Sequence, residues 1–442
     1  MAKRKQAAGK SARRAVAVSQ LLAGPIRVSA DGRHFVDAEG QPFFWLGDTA
    51  WPLLTNYSPE DAEAYLENRA RRGFTVIQTI IGWSTDAVMH AGRGKERTPD
   101  PNYAEERAWT SDPARPNEAF FRHVDHLVDR AAEKGLVLAI MPTLGNFVNE
   151  LDVFNVRNAR AYGRWLGARY KARPNVVWIN GGDRVLNSHG AVWRALGQGL
   201  REGSGGANLI TFHVCGWHSS SQFFHQEDWL DFNLIQTWTE WAKVHPAVTT
   251  DGLMVPRKPV VLGEGAYEDG PEYPLGPITP LLVRRQAWWA FMAGGFFTYG
   301  QNQMWRMEPG WTGAFDTPGA CQMTHFKAVA TSRPWWHMVP DQGLFASGVS
   351  SERTLNAALR SVDGDCAMAY LSSQCHVLIH LDKILTKRVK ATLINPQNGE
   401  ARDAGTYETG NLVPDRFPIP KTQWFSVPGY WEDAVLILDG VD

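Results

Sequence analysis

The sequence is poor in cysteine: Cys215, Cys321, Cys366 and Cys375 are the four in 442 residues. Four are too few for a disulfide scaffold, and their spacing matches no zinc motif. They read as free thiols, with a Cys366–Cys375 hairpin bridge as the alternative. Long apolar runs are also missing. No stretch reaches the roughly 18 apolar residues of a membrane helix, so no membrane partner is expected. Neither sign of charge dominates. Lys and Arg total 45 against 46 Asp and Glu, a formal net charge of −1, which argues against a nucleic-acid partner. No glycine-rich phosphate loop follows the first apparent strand, no serine elbow occurs, and no group of histidines is spaced for a metal. Neither a metal nor another cofactor is expected, and the oligomeric state is left open.

What is abundant is tryptophan, with 19 residues. Indoles stack on the apolar C–H faces of sugar rings, and they equally fill large cores. The length suits one large domain and a smaller one. Residues 1–24 read as a basic, disordered arm. Arg13-Arg14 and the run to Gly24 outline a signal peptide, but Ser19-Gln20 interrupt it and no usual cleavage site precedes Pro25. A cytoplasmic location is expected over export.

From residue 25 the chain alternates strand and helix. Phe43–Gly47, Phe74–Ile81, Leu136–Pro142, Val176–Ile179, Leu209–His213, Leu234–Thr237, Pro259–Glu264 and Gly295–Tyr299 read as eight strands. Between them, Ser58-Pro59-Glu60-Asp61 starts a helix that Gly73 stops, and Asn117 starts another. Residues 82–116 form a long polar insertion of the kind that makes lids or binding walls. Past Pro340, short strands at regular intervals, such as Ala367–Leu371 and Ala434–Leu438, are separated by turn signals. The predicted fold is α/β: a (β/α)8 TIM barrel over 25–340, followed by a small antiparallel β-sandwich over 341–442.

Barrel enzymes keep their chemistry at strand C-termini. Two carboxylates end apolar strands behind glycine, Gly182-Asp183 on strand 4 and Gly263-Glu264 on strand 7. Opposed across a barrel mouth, such a pair can cleave a glycosidic bond: one acid protonates the leaving oxygen while the other attacks the anomeric carbon or activates water. Each acid also has a structural reading, Asp183 as a helix cap and Glu264 as a partner of Arg184. Asp48, Trp51, Gln78, Trp83, Asn180, His213, Gln236, Trp238, Tyr267, Tyr299 and Trp305 lie at or near strand ends. They are the candidate sugar-binding residues, with Tyr267 placed to hydrogen-bond Glu264.

Phe43–Trp51, Trp178–Asp183 and Gly263–Glu268 together resemble the apiosidase-like glycoside hydrolases, over about residues 25–440. The resemblance implies a barrel followed by a β-sandwich often labelled collagen-binding. It implies an acid/base role for Asp183, a nucleophile role for Glu264, a retaining mechanism, and a β-linked pentofuranoside such as apiose as substrate. Family members are usually exported, a pattern from which this N-terminus departs. A carbohydrate is thus the expected partner. The alternatives are a cellulase-like or arabinofuranosidase-like enzyme, and a non-catalytic carbohydrate-binding protein on the same scaffold.

Overall fold

Runs of aliphatic residues too short for helices and buried on both faces have one stable use, as parallel strands sandwiched between layers. The computed structural model describes residues 24–82, 108–109, 112–270, 276–410 and 421–441. The expected N-terminal arm and most of the 82–116 insertion, Trp83 included, lie outside the described residues. Eight parallel strands run β1 (Leu46–Thr49), β2 (Val76–Ile80), β3 (Val137–Met141), β4 (Val176–Gly181), β5 (Ile210–His213), β6 (Asn233–Gln236), β7 (Val260–Glu264) and β8 (Phe296–Tyr299). Their order in the sheet is 5-4-3-2-1-8-7-6.

The ring closes between β5 and β6 without a ladder. At the lower end Asp231 N–H donates to Ile210 O at 2.8 Å, and the Thr211 hydroxyl donates to Phe232 O at 2.6 Å. At the upper end a short strand, His218–Ser219, lies antiparallel on β6 and wedges the exit loop of β5 into the seam.

The helices follow their sequence signals. In α1 (Pro59–Arg72) the Ser58 hydroxyl accepts from Asp61 N–H at 3.0 Å, and Gly73 ends the helix at φ 88°. α2 (Glu118–Glu133) buries Phe120, Phe121, Val124, Leu127 and Val128. α3 (Val156–Tyr170) and α4 (Gly190–Ser204) follow β3 and β4. Among the helices not anticipated are α5 (Val244–Gly252), α7 (Pro318–Ala330) and the single turns Asn146–Asn149, Ser221–Phe224 and Asn302–Arg306; α6 (Pro280–Met292) was anticipated. Strand parity separates two cores. Val177 and Ile179 point into the barrel, whereas Val176 and Trp178 pack outward against the helices.

The first strand differs from the expected Phe43–Gly47. Phe43 ends a separate three-stranded sheet (Arg27–Val28, Phe35–Val36, Pro42–Phe43), and the barrel strand begins at Leu46. Phe35 from that sheet packs on Trp45, Phe232 and Phe296 and plugs the barrel's lower end.

Beyond the barrel, strands β9 (Met338–Pro340), β10 (Phe345–Ser347), β11 (Ala357–Ser361), β12 (Cys366–Leu371), β13 (His376–His380), β14 (Arg388–Ile394), β15 (Ala401–Glu408), β16 (Thr422–Ser426) and β17 (Ala434–Val441) form two antiparallel sheets. Their orders are 9-11-12-17-14-15 and 10-13-16. Cys366 and Cys375 are free thiols, as are Cys215 and Cys321. The larger sheet docks on α6. Arg284, fully buried there, donates to both Asp433 oxygens at 2.9 and 2.7 Å and to Gln322 at 2.6 Å. Tyr370 donates to the same Asp433 at 2.7 Å and stacks on Trp288. Removing one partner of such a pair strands a buried charge. Asp433→Ala is expected to lower unfolding free energy by about 3–5 kcal/mol, read from urea unfolding; a loss under about 1 kcal/mol would show the pair to be solvated.

Candidate active site

The upper ends of β4 to β7 surround a pocket of about 530 Å³. Asp183 and Glu264 both line it, with His213, Gln236, Trp51, Trp238, Tyr267 and Trp305. β4 delivers Asp183 through a strained turn. Gly181 sits at φ 92°, where a Cβ would meet His213 O at 2.2 Å, so only glycine fits. Asp183 itself is left-handed at φ 49°, a conformation that Asp tolerates better than most residues.

The two carboxyls feel each other. Burial and the negative charge of Glu264 raise the Asp183 pKa to about 6, against a weaker pull from His213, Gln236 and Arg184. Half of the Asp183 side chain is exposed, but it faces the walled pocket. Gln236 Nε2 donates to Asp183 Oδ1 at 3.1 Å, and Arg184 Nη1 lies 3.8 Å from Oδ2. Gln236 Oε1 is buried without a partner among the described residues and can accept from a ligand hydroxyl.

His213 orders the other acid. Its Nδ1 lies 2.7 Å from Val214 O, a group that only accepts, so Nδ1 carries a proton. Nε2 lies 3.0 Å from Glu264 Oε2. A neutral ring would turn a lone pair toward the carboxylate; a second proton removes that clash. Burial opposes the charge, yet Glu264 and Asp183 overcome it and raise the His213 pKa. On the far side Trp51 Nε1 donates to Tyr267 OH at 3.1 Å, and the Trp51 ring meets His213 edge-on.

Several expected residues lie elsewhere, each for reasons of strand parity. Asp48 is inside β1 rather than past its end and faces α1, where Tyr65 OH and Arg69 Nε donate to Oδ2 at 2.6 and 2.5 Å. Asn180 faces α4, with Nδ2 donating to Trp193 O at 2.8 Å. Gln78 points into the barrel beneath the pocket and donates to Gly263 O at 2.8 Å, bracing the strand that carries Glu264. Tyr299 donates to Glu268, which also accepts from Thr317 and Gly319 N–H.

Other pocket residues escaped the sequence reading. Trp217, with Cys215, Gly216 and His218, comes from the wedge between β5 and β6. Trp217 is 54% exposed and lies 5.5 Å from Trp238. Both indoles sit on left-handed backbone, φ 66° and 45°, a conformation that costs about 1–2 kcal/mol for an L-residue. The signal that could have found Trp217 is its place four residues past His213, in a strand-exit loop. Among the described residues no group of three or more His, Cys, Asp or Glu could hold a metal, and no helix is long and apolar enough to cross a membrane.

A family model described as the apiosidase-like catalytic domain matches residues 29–337. The chain belongs to the apiosidase-like family. Residues 339–439 match a second model, described as "Putative collagen-binding domain of a collagenase". A glycoside hydrolase family 5 protein from Bacteroides vulgatus ATCC 8482 superposes with a TM-score of 0.82, 26% identity and 94% of each chain covered. A structure described as a glycoside hydrolase gives 0.80 and 26% identity over 94% of this chain and 97% of its own. No curated protein matches the chain. This apiosidase-like protein is a glycosidase, and its substrate is a carbohydrate.

The buried setting of Asp48 generates a discriminating expectation. Asp48→Ala leaves Arg69 charged and unpaired, a loss of about 3–5 kcal/mol in chemical unfolding. The folded fraction should keep its KM within about twofold, whereas a sugar-binding Asp48 would raise KM about tenfold, as losing one hydrogen bond to a charged group does.

Proposed function

We propose that this apiosidase-like enzyme removes a β-linked pentofuranosyl residue, such as apiose in a plant or microbial polysaccharide, with retention of anomeric configuration. Asp183 is the general acid/base and Glu264 the nucleophile. The observation that carries the chemistry is the Asp183 carboxyl, held to a pKa of about 6 beside Glu264. The match to the apiosidase-like catalytic domain supports the sugar.

In the first step Glu264 attacks the anomeric carbon, the bond to the leaving oxygen breaks, and Asp183 gives that oxygen its proton. His213, against Oε2, orients the nucleophile. The new ester is neutral, so the charge that raised the Asp183 pKa is gone. Asp183, now a stronger acid and ionised, takes a proton from water as the water attacks. The sugar is released, Glu264 regains its charge, and the raised Asp183 pKa keeps the proton just acquired. Trp217 and Trp238 wall the pocket between the two acids: the Trp217 backbone N–H donates to the carbonyl of Gln236, whose side chain holds Asp183, and the Trp238 backbone N–H lies 3.5 Å from the carbonyl of Glu264. They offer the substrate an aromatic stacking surface.

A panel of aryl furanosides and pyranosides tests the reading. Wild type should cleave a pentofuranoside, and Asp183→Ala and Glu264→Ala should each lose at least about 10²-fold in kcat. Equal activity in all three proteins would sink the assignment. Proton NMR of the first product should show retention; inversion would remove Glu264 as nucleophile. Trp217→Ala should raise KM about 5–10-fold, matching the ~1 kcal/mol of an aromatic contact, and Trp217→Phe should recover most of it.

The pH dependence has two parts. As an acid, Asp183 should make kcat/KM fall above about pH 6. For stability, its folded pKa lies above the ordinary carboxyl value of 3.8. The folded chain therefore binds more protons between these values and loses stability as pH rises through them. Asp183→Asn should raise Tm at pH 7.5 and leave it unchanged at pH 3.5; the reverse pattern would contradict the raised pKa.

A further inference from the structure

A second cavity, of about 440 Å³, lies at the opposite end of the barrel and shares none of the described residues with the pocket of Asp183 and Glu264. It opens where the strands begin. Val260 starts β7 and Phe296 starts β8, so Glu264 is four strand residues away, roughly 13 Å at the usual rise. The sheet of the second domain supplies the opposite wall through Met338 of β9 and Leu359 of β11. Junctions of this kind, with an apolar floor and a few polar groups, are where small-molecule sites form.

The lining is sorted by chemistry. Phe291, Phe296 and Leu359 make an apolar floor, each under 5% exposed. Among the described residues that line it are Arg33, Arg257 and Lys258, and none is Asp or Glu. The nearby Asp31 is already paired with Arg33 at 2.7 Å. Arg33 also donates to Met338 O and Trp336 O, and Lys258 donates to Leu230 O, which fixes both cations in place. Arg257 is exposed and engages no partner among the described residues. His245, from α5, lines the cavity with Nε2 buried and unpartnered, and burial lowers its pKa to about 4, so the ring is neutral. A buried ring nitrogen without a partner is destabilising unless a ligand satisfies it.

We propose that this rear cavity is a binding site for a small organic acid with an apolar, aromatic body. The body lies on the phenyl floor beside Trp335 and Trp336, the acid group meets Arg257, and a polar atom of the ligand satisfies His245. Bound there, such a molecule spans barrel and sandwich and stabilises their junction.

The test uses two fluorescent probes that differ by one anionic group, 8-anilinonaphthalene-1-sulfonate and the neutral N-phenyl-1-naphthylamine, with the full chain. The sulfonate should bind one per chain and raise Tm. Arg257→Glu should weaken the sulfonate about tenfold and leave the neutral probe within about twofold, the sign expected for a rim charge. Thr249→Trp, placed on the half-buried face of α5 that lines the cavity, should abolish binding of both while far-UV circular dichroism and aryl glycosidase activity stay unchanged. Absence of one-to-one binding overturns the site. Binding that survives Thr249→Trp in a folded protein overturns its location. Equal effects of Arg257→Glu on both probes overturn the anionic ligand.

Discussion

Two carboxylates at one barrel mouth repel, and the upper half of the structure is arranged around that repulsion. Asp183 answers it by holding its proton to about pH 6. Glu264 answers it with His213, whose Nδ1 is committed to a backbone carbonyl so that Nε2 faces the acid. Gln78 holds the β7 carbonyl just before Glu264, and Gln236 holds Asp183 from β6. Polarity at the mouth is thus fixed by contacts that cross the barrel from non-adjacent strands, so little reorganisation is needed during a reaction.

The seam between β5 and β6 gives the pocket its shape. A ladder there would have closed the ring evenly. The His218–Ser219 strand instead occupies the upper edge of β6 and carries Trp217 to the mouth. Left-handed backbone at Asp183, Trp217 and Trp238 collects in this one region. Strain of that kind persists only where the surroundings over-determine it, and here the surroundings are the paired strands beneath.

The lower half follows a different logic. A small sheet plugs the barrel, α6 buries Arg284 against Asp433 of the second domain, and Trp288 stacks on Tyr370. Many of the 19 tryptophans serve such packing: Trp45, Trp178, Trp193, Trp229, Trp288, Trp289 and Trp431 are almost wholly buried. Four other tryptophans, Trp51, Trp217, Trp238 and Trp305, line the pocket that holds Asp183 and Glu264. The tryptophan excess therefore has both meanings, and composition could not divide them.

Hydrophobic runs and turn residues determined the eight strands, α1 with its Ser58 and Gly73 boundaries, and the change to antiparallel strands beyond Pro340. Motif resemblance singled out the family. The glycine-acid pairs at the ends of β4 and β7 marked the two carboxylates, because a short apolar run that stops at glycine has few places to end except a barrel rim. Tertiary structure alone decided which neighbours join them. Side chains on a strand alternate sides with every residue, so a strand that ends two residues later than expected turned Asp48 toward Arg69 instead of the mouth. The same alternation sent Asn180 to α4, while Gln236 and His213 reached the pocket. Trp217 came from a loop whose course depends on the edge of β6 that β5 leaves without a ladder, a gap set by how the strands meet around the ring.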